Sequence, residues 1–397
     1  MEKQQTIKSK APFIEFIMFF TYAFFAVNWI AGSTMTPQIM EYFRLTSFAS
    51  ATLISNAITV AKIIGNFMAA WFLHKLFPKK AIGLASFFIV GGSLFAILAQ
   101  QYVMFIIGRF IMGFGGALYV VYFSPMVVHY FTQEQRPTIS AINGVAYNVG
   151  SIISMIFVAP VIQWLKTWQY SMGFFAAISG ALFLLWLVTG EDFPLGKSED
   201  AEQDRKDTSI ALGLKKPINW LLPITYSGLL TLYIVVLTIF PQAKLVDVDS
   251  KLMSTLMAVG GIIGSLLAIM LNKKYKKRLP VIRYSGIVMT ALAFLMFNIN
   301  MPLVSYLSSL GLGILMFLPV TSLVMIPVEL PGMTPGSITT TMGLFWAISY
   351  VIETIVYFIL GQIVDLQGFA MALNVAAIFS LTMFIGSFLL PETNKEQ

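Results

Sequence analysis

Three ionisable side chains stand inside long apolar runs. Lys62 lies near the middle of ATLISNAITVAKIIGNFMAAWF, residues 51–72; Arg109 lies in IGRFIMGFGGALY; and Glu353 lies in TMGLFWAISYVIETIVYFILG. A charge at the centre of a hydrocarbon layer costs roughly 3 kcal/mol on insertion scales. An ammonium or guanidinium kept at that cost can hold an anion. A carboxylate there has its proton affinity raised by desolvation and lowered by a nearby cation, so movement of a lysine can switch it. These residue types therefore point to anion binding and proton handling. Glu15 opens the first apolar run and is a weaker coupling candidate, while Glu329 and Asp365 fall at the ends of apolar runs and read as solvated.

Polar and aromatic residues at the same depth are candidates to line a cavity. In the first half these are Tyr22, Asn28, Tyr119, Tyr122, Asn143, Tyr147 and Asn148. In the second half they are Tyr226, Tyr233, Trp346 and Tyr350. Trp346, Tyr350, Glu353 and Tyr357 recur every three or four residues, which places them on one helical face.

Composition says what positions these residues. The chain of 397 residues is 57% hydrophobic and 11% charged, with a mean hydropathy of +0.81. Soluble domains carry about 25% charged residues, so the chain reads as an all-α polytopic membrane protein. Twelve spans are expected, at 12–32, 48–73, 81–99, 102–130, 138–163, 170–189, 218–240, 252–271, 280–298, 302–328, 337–362 and 369–390. Each is long enough for a helix to cross a hydrocarbon core of about 30 Å. The absence of cysteine excludes disulfides and thiolate metal sites, and two histidines, His74 and His129, make a histidine-rich site a poor reading. No Walker motif and no nucleophile–base arrangement is present, so the expectation is a protein that is not an enzyme and needs no cofactor beyond a coupling proton or counter-substrate.

Three domains follow: a six-helix half at 1–190, a charged cytoplasmic linker at 191–217 and a second six-helix half at 218–397. With the N-terminus inside, the outer loops hold only Arg44, Lys166, Lys244 and Lys251 of the 25 Lys and Arg, and Lys62 and Arg109 are within spans. The rest are cytoplasmic, so the positive-inside rule puts both termini in the cytoplasm. The net charge of +7 is thus a topology signal and not a nucleic-acid footprint. The halves also echo one another. His74-Lys75 matches Asn272-Lys273 at an offset of 198, and Gly144 matches Gly343 at 199. An offset of 198 maps Lys62 onto Gly260 and one of 199 maps Glu353 onto Ser154, both small and neutral, so the charges are additions to a duplicated frame. The glycines Gly113, Gly115, Gly116, Gly260, Gly261 and Gly264 read as sites of close helix packing.

Across its whole length the chain resembles the major facilitator superfamily. The likeness rests on twelve spans, the charged central loop, the basic loops after spans 2 and 8, and Arg109, Gly113 and Gly115 in the R-x-x-x-G-x-G pattern of span 4. The loop WFLHKLFPKK departs from that family's pattern: His74 stands where an acid is expected and the turn lacks its glycine, though Lys79 and Lys80 keep the basic end. A narrower likeness, to nitrate/nitrite, cyanate-type and oxalate:formate porters, rests on Arg136, Asn143, Gly144, Asn148, Gly150 and Gly343. Span 2 offers Lys62 in place of the nitrate porters' arginine and span 8 offers no cation, so nitrate is not carried over. The resemblance implies that spans 2 and 11 pack side by side. Counting 1.5 Å per residue, Lys62 and Glu353 lie roughly 18 and 22 Å from the cytoplasmic face, and the expectation is an ion pair between the halves that solute or proton binding breaks.

The function expected is secondary active transport of a small anion or zwitterion across the cytoplasmic membrane, by a monomer in the lipid bilayer that binds no nucleic acid. The alternatives are a proton-coupled exporter of lipophilic or aromatic cations and a non-transporting membrane sensor.

Overall fold

A computed structural model describes residues 2–193, 210–245, 247–275, 277–333 and 335–393. Most of the expected 191–217 linker lies outside these described residues. Among the described residues, twelve helices are long and apolar enough to cross a membrane: α1 (Lys10–Thr34), α2 (Phe48–Ala69), α3 (Lys75–Ile97), α4 (Tyr102–Tyr130), α5 (Thr138–Leu165), α6 (Trp168–Thr189), α7 (Ile218–Thr238), α8 (Ser250–Asn272), α9 (Leu279–Asn298), α10 (Pro302–Glu329), α11 (Thr340–Gln367) and α12 (Phe369–Gly386). The twelve expected spans are these helices, each displaced by a few residues at most. Helices are the form that satisfies every backbone N–H and C=O inside an apolar run. Where the chain leaves a helix, local side chains take over. Thr167 accepts from the Tyr170 amide at the start of α6, and the Asp249 carboxylate accepts from the Lys251 and Leu252 amides at the start of α8.

The chain divides into two compact units. The first holds residues 1–46 and 53–196; the second holds 47–52 and 197–397. In the first, α1 packs against α4, α5 and α6. In the second, α7 packs against α11 and α12, and α10 packs against α8 and α9.

The contacts inside the two units repeat at a nearly constant offset. Gly113 of α4 is pressed against Ile58 of α2, and Gly313 of α10 against Met257 of α8. The offsets are 200 (113 to 313) and 199 (58 to 257). Gly150 of α5 abuts the Ala23 carbonyl, and Ser349 of α11 donates to the Pro223 carbonyl. Asn28 donates to Ser179, and Gly228 lies against the Phe379 carbonyl. Arg44 and Lys244, 200 apart, each adopt a left-handed conformation after a short helix, Thr36–Phe43 and Phe240–Ala243. The duplication suggested by two sequence anchors is therefore built into the packing. The offset of 199–200 places Lys62 opposite Gly261 or Ile262, next to the Gly260 expected.

The turn between α2 and α3 is helical except at Phe77, whose φ of 61° and ψ of 163° break the rod before Pro78. A left-handed φ is unfavourable for a bulky side chain. Glycine suits such a turn, and this sequence lacks it. The turn is held from α6 and the residues after it: the Trp186 indole donates to the Lys79 carbonyl (3.0 Å), and the Lys79 amide donates to Asp192 (2.9 Å).

Two acids at span ends are engaged: Glu329, expected to be solvated, is half-buried in a salt bridge, and Asp365 is exposed, as expected, while it caps a helix. Glu329 forms a two-point salt bridge with Arg278, at 2.6 and 3.1 Å, which raises the Arg278 pKa further above its ordinary value. It is held because Arg278 folds back over the end of α10, where Asn272 and the Thr393 hydroxyl complete the cluster. Asp365 of α11 accepts from the Phe48 amide (2.6 Å), the Ala49 amide (2.9 Å) and the Ser47 hydroxyl (2.8 Å), within the second unit. The first turn of α2 has no helical acceptors for these amides, and the carboxylate supplies them. Asp365→Ala is expected to destabilise the protein by about 1–2 kcal/mol, measured as a lower melting temperature, with Asp365→Asn intermediate.

Candidate solute and coupling site

In the first unit the site is built around Lys62. Its side chain is buried, and Nζ lies 4.8 Å from the centre of the Trp29 ring and 5.8 Å from that of Tyr147. Both distances fall within the reach of a cation–π attraction, worth about 2 kcal/mol where water is excluded. The rings meet edge to face, with centroids 5.4 Å apart. The Trp29 indole N–H donates to the Ser55 hydroxyl (2.8 Å), so the ring is anchored at its polar edge while its face meets the ammonium. Three helices contribute: α1 carries Trp29, α2 carries Lys62 and Ser55, and α5 carries Tyr147.

Arg109 supports this arrangement from behind. It is fully buried, and its guanidinium donates to the backbone carbonyls of Ile54 (3.0 Å), Asn28 (2.8 Å) and Trp29 (2.8 Å). These bonds tie α4 to α1 and α2 at the residue that bears the Trp29 ring. Gly32 makes the approach possible, since a Cβ there would stand 2.7 Å from the guanidinium. Arg109, which the family resemblance offers for helix packing or coupling and its bare charge for anion binding, is engaged with backbone carbonyls, one of them that of Trp29.

The other first-half candidates separate. Asn28 turns away, donating to Ser179 of α6 (3.1 Å) and to the Phe24 carbonyl (2.7 Å). Tyr22 packs on Phe25 and Phe123. The Tyr119 hydroxyl donates to the Met18 sulfur (3.2 Å), and the Tyr122 hydroxyl is buried without a hydrogen-bond partner among the described residues. Asn148 is fully buried on α5. Asn143 is buried, and Glu15 of α1 faces its amide.

In the second unit Glu353 is fully buried on α11. Its helical face continues through Tyr350 and Tyr357, both buried, whereas Val351, Ile355, Phe358 and Ile359 of the same helix are exposed. The face predicted from spacing is thus the inward one. Tyr357 donates to Thr238 (2.7 Å), which donates to the Ile234 carbonyl (2.6 Å), anchoring the turn after Glu353 to α7. Tyr226 meets Trp346 edge to face at 5.6 Å, and Tyr233 packs on Phe317.

Trp29 was missed by sequence reasoning. Its position, three residues before the end of the expected span 12–32, is the interfacial depth where tryptophan usually anchors, so the sequence carried no signal for it.

The sequence profile of the Major Facilitator Superfamily matches residues 16–352. The chain belongs to this superfamily. An uncharacterized protein of Campylobacter jejuni, Cj0987c, is 29% identical over 228 residues, 57% of this chain and 69% of that protein. The H(+)/hexose cotransporter 1 of Parachlorella kessleri is 27% identical over 147 residues, 36% of this chain and 27% of the cotransporter. Among solved structures, the inward-open xylose transporter XylE from E. coli superposes with a TM-score of 0.75 at 17% identity, covering 98% of each chain. With its twelve apolar helices, this superfamily member is a multi-pass integral membrane protein with the fold of a secondary transporter.

Proposed function

We propose that this superfamily member moves a small anion or zwitterion by alternating access, that Lys62 holds the solute's negative group, and that Glu353 carries a coupling proton. The carrying observation is the buried Lys62 ammonium, held against Trp29 and Tyr147. A desolvated cation attracts an anion far more strongly than one in water, and the ring faces give the apolar part of a solute a surface to stack on. The proposal includes the Lys62–Glu353 pairing expected from the sequence, both termini in the cytoplasm, as the loop charges suggest, and a monomer as the working unit.

Reconstituted vesicles test the reading. A panel of small carboxylates, amino acids, hexoses and lipophilic cations is offered with and without an imposed proton gradient. Saturable uptake of a carboxylate or amino acid, raised by the gradient, is the expected result; binding without flux for every compound would make the protein a sensor. Hexose–proton symport is the second reading, supported by the aromatic platform and by the resemblance to the hexose cotransporter. Hexose uptake that survives Lys62→Gln would favour it.

Glu353→Gln is expected to abolish the response to the proton gradient while solute exchange between the two sides continues. A wild-type gradient response in that variant would remove Glu353 from coupling.

A further inference from the structure

Where α2 turns into α3, the first unit carries a groove of about 640 Å³ whose lining does not include Lys62. Its lining includes Trp71 and Phe72 of the turn, Leu76 and Phe87 of α3, and Phe183 and Leu187 of α6. Lys75, Lys79 and Lys80 belong to the same groove. The size falls within the roughly 300–1,000 Å³ of small-molecule sites.

The groove is apolar along its length and cationic at one end. Trp71 is 52% exposed and Phe87 54% exposed, although both are large and hydrophobic. Beside bilayer-spanning helices such side chains meet acyl chains. The lysines sit at the helix ends, the depth at which headgroup phosphates lie. Lys75 rests its ammonium 4.7 Å over the Trp71 ring. The backbone of the turn is fixed by the Trp186 and Asp192 bonds at Lys79. The nearby acids leave positive charge in excess: Glu191, in a salt bridge with Lys10, and Asp192 stand against Lys10, Lys75, Lys79 and Lys80.

We infer that this groove binds one anionic glycerophospholipid, with its phosphate among Lys75, Lys79 and Lys80 and an acyl chain along Trp71, Phe87 and Leu187. In the orientation proposed above the lipid comes from the cytoplasmic leaflet. The occupant is an amphiphile because lysines and apolar wall form one continuous groove. It is anionic because three lysines line the groove, outnumbering the nearby acids.

The test uses the purified full-length protein in neutral detergent, titrated with dioleoyl phosphatidylglycerol, dioleoyl phosphatidylcholine or inorganic phosphate. Retained lipid is read by native mass spectrometry and stabilisation by melting temperature. Phosphatidylglycerol is expected to be retained at concentrations about tenfold lower than phosphatidylcholine. The triple variant Lys75→Gln, Lys79→Gln, Lys80→Gln should lose that preference, and the corresponding triple arginine variant should keep it. Leu187→Trp, which narrows the groove, should weaken retention of both lipids. Equal retention of the two lipids by the wild type, an unchanged preference in the glutamine variant, or stabilisation by inorganic phosphate matching that by phosphatidylglycerol would each overturn the assignment.

Discussion

Lys62→Gln is expected to weaken solute affinity by about 10–100-fold, the equivalent of losing one charge-assisted hydrogen bond of about 1.5–3 kcal/mol. The loss should appear both in uptake and in ligand-induced thermal stabilisation, because both report occupancy of the same buried ammonium. Lys62→Met separates this role from a structural one. Its side chain has a similar length and no charge, so only the contribution of the ammonium to anion binding is removed. The variant should lose its affinity for the anion, and with it the rise in melting temperature that solute gives the wild type. A lysine that served the fold alone would give the opposite result: a lower melting temperature with binding retained. Lys62→Arg should keep part of the affinity, since guanidinium also stacks on Trp29 and Tyr147.

The second large effect is expected at Arg109. Arg109→Leu removes the donor from three buried carbonyls, those of Ile54, Asn28 and Trp29. At about 1 kcal/mol or more for each bond, the cost is about 3 kcal/mol or more. The measurement is the yield of monodisperse protein and its melting temperature. Arg109→Lys should recover little, because an ammonium is a point charge and cannot reproduce a rigid fork aimed at three acceptors. Gly32→Val should reproduce the defect without touching the arginine, since its side chain would displace the guanidinium. If Arg109→Leu melted like the wild type and lost solute affinity alone, the arginine would be an anion ligand and not a positioning residue.

The sequence showed more of the frame than of the site, and the reason is physical. Helix count and length depend on the thickness of the bilayer, so the twelve apolar runs could be read directly, down to the close packing at Gly113 and Gly260. The inward face of α11 was legible because Trp346, Tyr350, Glu353 and Tyr357 interrupt an otherwise apolar helix. The direction of Asn28 was not legible. On α1 nearly every position is apolar, so no polar stripe tells which side meets α6 and which meets α2. Trp29, one position further on, points to Lys62 for the same unreadable reason. Glu329 misled because its position at a span end suggested water, whereas Arg278 lay within reach; Asp365 is exposed as expected, and its capping of the first turn of α2 depends on a contact far away in the sequence.

The arginine clamp also bears on how the protein is made. Arg109 enters the membrane as part of α4, whose insertion it opposes by roughly 2.5–3.5 kcal/mol. Its three acceptors belong to α1 and α2, which leave the ribosome earlier. Integration of α4 is therefore expected to depend on the presence of the helices synthesised before it. Biogenesis of the first unit then follows an order set by one side chain, in which two helices must wait at the insertion site until a third arrives to join them.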